Sequence, residues 1–225
     1  MKILSFDVGI KNLSYCLLND KIIEDWGILN ICIDDVCIHC NAKTGVRCDK
    51  SVKYVSGGFQ VCSAHKKLKQ YSDKKFKCVP KKKNQMLDQG KKMVEILSAK
   101  SNFLNVDLVV IENQPALKNP TMKSIQMILY SYFLIMGVST DESTINSIEM
   151  INARNKLKAY TGPPITCDIT DRYKKTKFLG IKYCSAMISE SLQEDIWIDL
   201  FKTSKKKDDL ADAYLQGIYV SKSKV

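Results

Sequence analysis

From Cys32 to about residue 80, the apolar periodicity that organises the rest of this 225-residue chain stops, and cysteine, lysine, glycine and serine take over. A stretch of that composition cannot draw folding energy from apolar burial, so it marks an inserted unit rather than more core. The expected organisation is one compact domain over residues 1–225 with a small satellite at 32–80. The 45% apolar content is ordinary for such a body.

Six of the nine cysteines lie between Cys32 and Cys78, together with the only two histidines, His39 and His65. An odd number of thiols suits a reducing compartment better than a disulfide framework. A histidine-dependent catalytic triad elsewhere in the chain is excluded by the same count. Cys37-x2-Cys40 and Cys62-x2-His65 form two chelating pairs separated by twenty-one residues, close to the spacing of structural zinc sites. A tetrahedral Cys3His site holding structural Zn2+ would supply the folding energy that the insertion lacks. Cys48 is a fifth candidate, able to replace Cys37 or Cys40, because Gly45-Val46-Arg47-Cys48 also suits a zinc-knuckle turn. The competing reading is a flexible loop with unliganded thiols.

Thirty-five Lys and Arg against twenty-four Asp and Glu give a net charge of +11, which points to a polyanionic partner. Nine of those lysines fall at 66–83 with only Asp73 opposing them. By itself this run reads equally well as a solvated linker. The longest candidate membrane segment, residues 125–138, falls short of the ~20 residues a spanning helix needs. Asp7 interrupts any signal-peptide apolar core, and the protein is expected to be soluble and intracellular, without a membrane association.

Residues 2–8 and 13–18 read as a hairpin around Gly9-Ile10-Lys11-Asn12, with 21–31 as a third strand. Regular structure resumes near Asn84 with a helix through residue 100, in which Met86, Met93, Val94 and Leu97 recur at helical spacing. Residues 107–112 form a continuous β-branched run ending on Glu112, the pattern of a buried strand. A helix at 121–136, a strand at 144–151, a helix at 173–191 and a last helix from Asp208 or Asp209 to about 219 complete the alternation. No P-loop or G-x-G-x-x-G element occurs, so no nucleotide cofactor is expected.

Taken singly, the acids have plain structural roles: Asp7 could cap a turn, Glu112 could end a strand at the surface, and Asp209 could cap a helix. Taken together they point to chemistry, because two of them close apolar strands at the ends where α/β sheets place their sites. Asp209 and Asp212 stand three residues apart on one helix face, where like charges repel unless a cation lies between them. Mg2+ takes oxygen ligands of this kind, with Mn2+ expected to substitute. Two such ions, held by Asp7, Glu112, Asp209 and Asp212, would serve an in-line phosphodiester displacement. Asp208 could join them, although Lys205-Lys206-Lys207 beside it offers a simpler surface pairing.

Three segments carry a family resemblance: Ser5-Phe6-Asp7-Val8-Gly9-Ile10-Lys11-Asn12-Leu13-Ser14, then Ile111-Glu112-Asn113-Gln114, and Lys207-Asp208-Asp209-Leu210-Ala211-Asp212-Ala213. In this order they resemble the RuvC-like Holliday junction resolvases, in the form found in poxviruses and other large DNA viruses. Asn119-Pro120-Thr121-Met122, leading to Ile125 and Tyr132-Phe133, extends the likeness to viral and mitochondrial-type members. The resemblance implies an α/β RNase H-like mixed sheet flanked by helices, a homodimer, and symmetric nicking of branched DNA at four-way junctions. A two-fold dimer would present equivalent sites to a two-fold substrate.

In Asn152-Ala153-Arg154-Asn155-Lys156-Leu157, Lys156 resembles the functional lysine of viral members, with Lys158 as a competitor. Such a lysine could stabilise charge at the scissile phosphate, or could equally be a backbone-contacting or surface residue. The insertion departs from the compact pattern of the resemblance, and DNA contact or protein docking both suit it. Two other functions stay open: a related nuclease acting on RNA–DNA hybrids or flaps, and a non-catalytic zinc-containing nucleic-acid-binding module. Location is expected in the cytoplasm or nucleus, viral replication sites included.

Overall fold

The computed structural model describes residues 1–32, 35–80, 85–117 and 119–224, so the expected restart at Asn84 and three lysines of the basic run, Lys81, Lys82 and Lys83, lie outside the described residues. The chain opens with the strands β1 (Lys2–Val8), β2 (Asn12–Asn19) and β3 (Ile22–Asn30). Three short strands follow, β4 (Tyr54–Ser56), β5 (Phe59–Val61) and β6 (Lys77–Cys78), before the helix α1 (Gln85–Ser98). Then come β7 (Leu108–Glu112), α2 (Pro120–Phe133), β8 (Ser147–Ile151), α3 (Arg172–Glu190), α4 (Asp195–Thr203) and α5 (Lys207–Ser223). Two compact units result, one formed by Met1–Ile31 with Gly90–Val225 and the other by Cys32–Gln89. The second unit thus runs nine residues past the boundary at 80 that composition suggested.

In the larger unit a five-stranded mixed sheet has the order β3-β2-β1-β7-β8, with β1, β7 and β8 parallel and β2 and β3 antiparallel to their neighbours. This is the mixed sheet flanked by helices that the resemblance implied. Side chains alternate across β1. Ile3 packs with Leu108, Val110 and Val220, on the face covered by α5. Phe6 turns the other way, its ring 5.4 Å from that of Phe133 at the end of α2.

Helix α5 is seated closely on β1. A Cβ added at Gly217 would lie 2.7 Å from a Leu18 methyl and 3.2 Å from Ser5 Cβ, so only glycine lets the helix approach this far. Buried Gln216 donates from Nε2 to Ser5 Oγ and to the Phe6 carbonyl, each at 3.2 Å, which fixes the helix along its axis. Trp26 Nε1 donates to the Leu210 carbonyl at 3.1 Å and anchors the first turn.

Several sequence expectations shift. The helix expected to run to 136 ends as α-helix at Phe133 and widens into a π-turn over Leu134–Val138. The last strand begins at Ser147 rather than 144, and α5 continues to Ser223. Helix α4 was not anticipated. Its nine residues are too few for periodicity to distinguish, yet Phe201 stacks 5.5 Å from Trp26 and ties it to the core.

The smaller unit is built on the antiparallel sheet β5-β4-β6, around a buried cluster of Cys37, Val61, Cys62 and Tyr71. Among the described residues no helix of the chain is long and apolar enough to cross a membrane.

Candidate active site and metal centre

Asp7 and Glu112 share a face of the sheet. The β1–β7 register pairs Phe6 with Ile111, so the next residue on each strand is an acid, and both acids follow the parity of Ile3, Val110 and Leu108 towards α5. Asp7 is followed by Val8 inside the strand, so it is the penultimate residue rather than the terminal one. Gly9 then makes the turn into β2, where a Cβ would lie 2.5 Å from the Asn12 carbonyl oxygen. The spacing Asp7-Val8-Gly9 is therefore a requirement of backbone approach beside the carboxylate.

Asp209 and Asp212 come from the first turns of α5. Asp209 stands at the third helical position, and the residue ahead of the helix, Lys206, makes no side-chain cap, so capping does not explain the acid. Ser14, directly across from Asp7 in the β1–β2 register, donates from Oγ to the Asp209 carbonyl at 2.9 Å and lies 3.4 Å from Asp7 Oδ2. One hydroxyl thus ties the strand acid to the helix that carries the other two.

Lys156 enters from the third parallel strand. After β8 the chain forms a 3-10 turn over Ala153–Ala159, begun by Asn152, whose side chain accepts from Arg154 N at 3.0 Å. Residues three apart eclipse in such a turn. Lys156 accordingly shares the inward face with the fully buried Ala159, and its Nζ lies 2.5 Å from Asp212 Oδ2. Lys158 turns outward and donates to Asn155 Oδ1 at 3.0 Å. Of the two lysines the sequence left open, only Lys156 reaches the acids.

All five residues line one cleft of 510 Å³, with Gln114, Tyr173 and Lys177 among the other lining side chains. Gln114 is held by a backbone bond to Gln126 Oε1 at 2.9 Å. These additional residues were missed because neither Gln114, quoted only within a motif, nor the α3 residues carry a type or spacing that signals chemistry. Asp208 is corrected too: its carboxylate pairs with Lys177 of α3 at 2.5 Å, not with the lysines beside it. That pairing holds the Asp208 carboxyl below its usual range despite burial.

Burial drives the Asp7 carboxyl well above the usual carboxylate range, and Glu112 beside it adds to the rise. Burial likewise pushes Asp212 up to about 7, with Asp7 adding and Lys156 opposing, and raises Asp209. Burial would lower Lys156, but Asp212, Glu112 and Asp7 outweigh it and keep the ammonium charged. Lys156, with Lys206 3.6 Å from Asp209 at the cleft, does not offset four converging carboxyl groups. An all-oxygen donor set with uncompensated negative charge fits hard divalent cations.

The smaller unit brings together Cys37, Cys48, Cys62 and His65, whose ligand atoms all lie within 4.8 Å of one another. His65 Nδ1 is 3.4 Å from Cys37 Sγ and 3.5 Å from Cys62 Sγ. A tetrahedral zinc with ordinary bonds to sulfur and nitrogen sets these atoms roughly 3.5 Å apart. His65 is held below its usual value by burial, His39 and Lys50, which favours the neutral ring that binds metal.

Cys40 is outside this quartet, its Sγ directed to the Gly45 carbonyl at 3.2 Å, and Cys48 takes the place expected of it. The reason is strand parity. Bridges Val36↔Ser51 and Cys40↔Arg47 make an antiparallel pair in which Cys37 and Cys48 fall on one face and Cys40 on the other. Cys37 and Cys40 would chelate together in a knuckle, but an extended backbone separates them.

The chain matches no model of a known protein family. It is 38% identical over 135 residues to an uncharacterized protein of Acanthamoeba polyphaga mimivirus, covering 57% of this chain and 32% of that one, so it spans about a third of that relative's length. Among solved structures, the yeast mitochondrial Holliday junction resolvase Ydc2 aligns with a TM-score of 0.54 at 14% identity, covering 97% of this chain and 78% of that one. The fold is therefore shared with that resolvase. A fowlpox virus resolvase, crystallised with its substrate Holliday junction DNA, aligns with a TM-score of 0.49 at 16% identity over 100% of this chain and 99% of that one.

Proposed function

We propose that this chain is a structure-selective DNA endonuclease that nicks four-way junctions symmetrically, by phosphodiester hydrolysis assisted by two divalent ions. The observation that carries this reading is the convergence of Asp7, Glu112, Asp209, Asp212 and Lys156 in one cleft at the ends of three parallel strands. The shared fold with a protein described as a Holliday junction resolvase supports the substrate class.

The four carboxylates would hold Mg2+, or Mn2+ in its place. When bound, such ions activate the attacking water and stabilise the leaving oxygen. The chain's own contribution is positional and electrostatic. Ser14 and Gln216 hold the acid-bearing strand and helix together. Lys156 places a permanent positive charge where negative charge develops on the scissile phosphate. Lys11 and Lys206 at the cleft give a phosphodiester backbone an attractive approach to a site whose floor is acidic.

A homodimer suits a two-fold substrate, each copy cutting one of two symmetry-related strands. Zn2+ bound by Cys37, Cys48, Cys62 and His65 would hold the insertion's fold. The same reading places its work at the replication sites of a large DNA virus, in the cytoplasm or nucleus.

The test is cleavage of a labelled synthetic four-way junction with magnesium, beside linear duplex, flapped DNA and RNA–DNA hybrid. Paired symmetric nicks confined to the junction, and lost in Asp7→Asn while binding persists, are the expected result. Preferential cutting of hybrid or flap would refute junction specificity, and binding without metal-dependent cleavage of any substrate would refute the enzyme.

A further inference from the structure

The charge of this protein is unevenly divided. Residues 32–89 hold thirteen Lys and Arg against five Asp and Glu, leaving +8 of the chain's +11 in the smaller unit. The unit with the acidic cleft, more than twice as long, carries the remaining +3. A nuclease body close to neutral, with four carboxylates at its centre, has little long-range attraction for a polyanion.

Within the smaller unit, part of that charge has a defined surface. Tyr54 and Val61, paired across β4 and β5, turn towards the Cys/His cluster. Val55, Gln60 and Lys77, the next set across the three strands, therefore occupy the opposite face. Lys53 is exposed between buried Val52 and the inward-turned Tyr54, and Lys75 joins Lys77 beside a hollow of 420 Å³ lined in part by the Gly57-Gly58 turn. Lys53, Lys75 and Lys77 are exposed. In the described part of the basic run, Lys74 is the lysine that is ion-paired, with the adjacent Asp73. Lys66 and Lys74 lie over the rings of Tyr54 and Phe59 at 4.0 and 5.3 Å, so part of the charge is held against the domain by its aromatic residues.

We infer that the outer face of the β5-β4-β6 sheet is a second DNA-binding surface, which grips backbone phosphates through Lys53, Lys75 and Lys77 outside the catalytic cleft. The polyanion is named as DNA on the strength of the nuclease reading above. The contacts are to phosphates, so this surface sets affinity and contributes no base sequence preference.

The experiment uses the full-length, zinc-loaded chain in magnesium-free buffer, with junction and linear duplex binding measured from 50 to 200 mM salt. The triple variant Lys53→Ala, Lys75→Ala, Lys77→Ala is compared with Lys21→Ala, Lys182→Ala, Lys202→Ala, which removes equal charge from the larger unit. Every phosphate that goes without its lysine lowers the salt slope by about 0.9, so the first variant should flatten it by about 2 to 3 and weaken binding at least roughly tenfold at 50 mM. Its zinc content should be unchanged, and the second variant should bind as the parent does.

Equal slopes and affinities for the two variants would overturn the inference. A chain that cuts no junction but loses duplex affinity through the first variant would defeat the resolvase reading and leave this one standing. A junction-cutting chain whose binding ignores that variant would do the reverse.

Discussion

Lys156 Nζ lies 2.5 Å from Asp212 Oδ2 in the floor of the cleft, with the lysine side chain 9% exposed. A buried ammonium so placed cannot be exchanged for a surface lysine nearby. Replacing Lys156 by Met should slow single-turnover junction cleavage by about 100-fold. Lys158→Ala should stay within about twofold of the parent, as expected of a solvated surface residue. Equal effects of the two substitutions would show that the pairing with Asp212 is structural alone.

Ser14 is the link between Asp7 and the start of α5, and it is buried. Ser14→Ala should cost about 1 kcal/mol of stability, measured by denaturant unfolding. Because the residue orients metal-binding groups, half-saturation by magnesium should also move up by about tenfold. A loss of stability without that movement would limit Ser14 to packing.

The acids of the cleft give a pH dependence of defined sign. Asp7, Asp209 and Asp212 are raised in the folded chain, so their contribution favours folding most below the ordinary carboxylate range near ~4 and declines as pH rises, for Asp212 through about 7. Thermal unfolding without magnesium should therefore show the Asp212 contribution lost as pH rises from ~4 through about 7, with Asp212→Asn flattening the profile. Added magnesium should restore stability at the upper end, where the carboxylates are ionised and able to bind it. A metal-free profile unchanged by Asp212→Asn would contradict the assignment.

Strand parity makes a sharp distinction among the cysteines of the insertion. Cys48→Ser should lower bound zinc well below one per chain in a colorimetric release assay, whereas Cys40→Ser should leave it at one. The opposite ranking would restore the Cys37-x2-Cys40 chelate read from spacing.

Much of the architecture was legible because its signals are local. The β-branched run ending at Glu112, the hairpin around Gly9 and the spacing of Asp209 and Asp212 each depend on neighbours a few residues away, and periodicity reports such neighbours directly. The interruption at Cys32 was legible for the same reason. What remained out of reach depended on which face a residue takes once the backbone path is set.

By itself, then, the sequence determined that an α/β body carries acids on two core strands and the last helix, and that a cysteine-rich unit interrupts it. Only the tertiary structure decided that Lys156 and not Lys158 meets those acids, since a 3-10 turn after β8 repeats every three residues. It alone decided that Cys48 and not Cys40 completes the Cys/His quartet, since an extended pair repeats every two. Both choices follow from backbone period, which a pair of candidate residues does not reveal until the segment between them has a conformation.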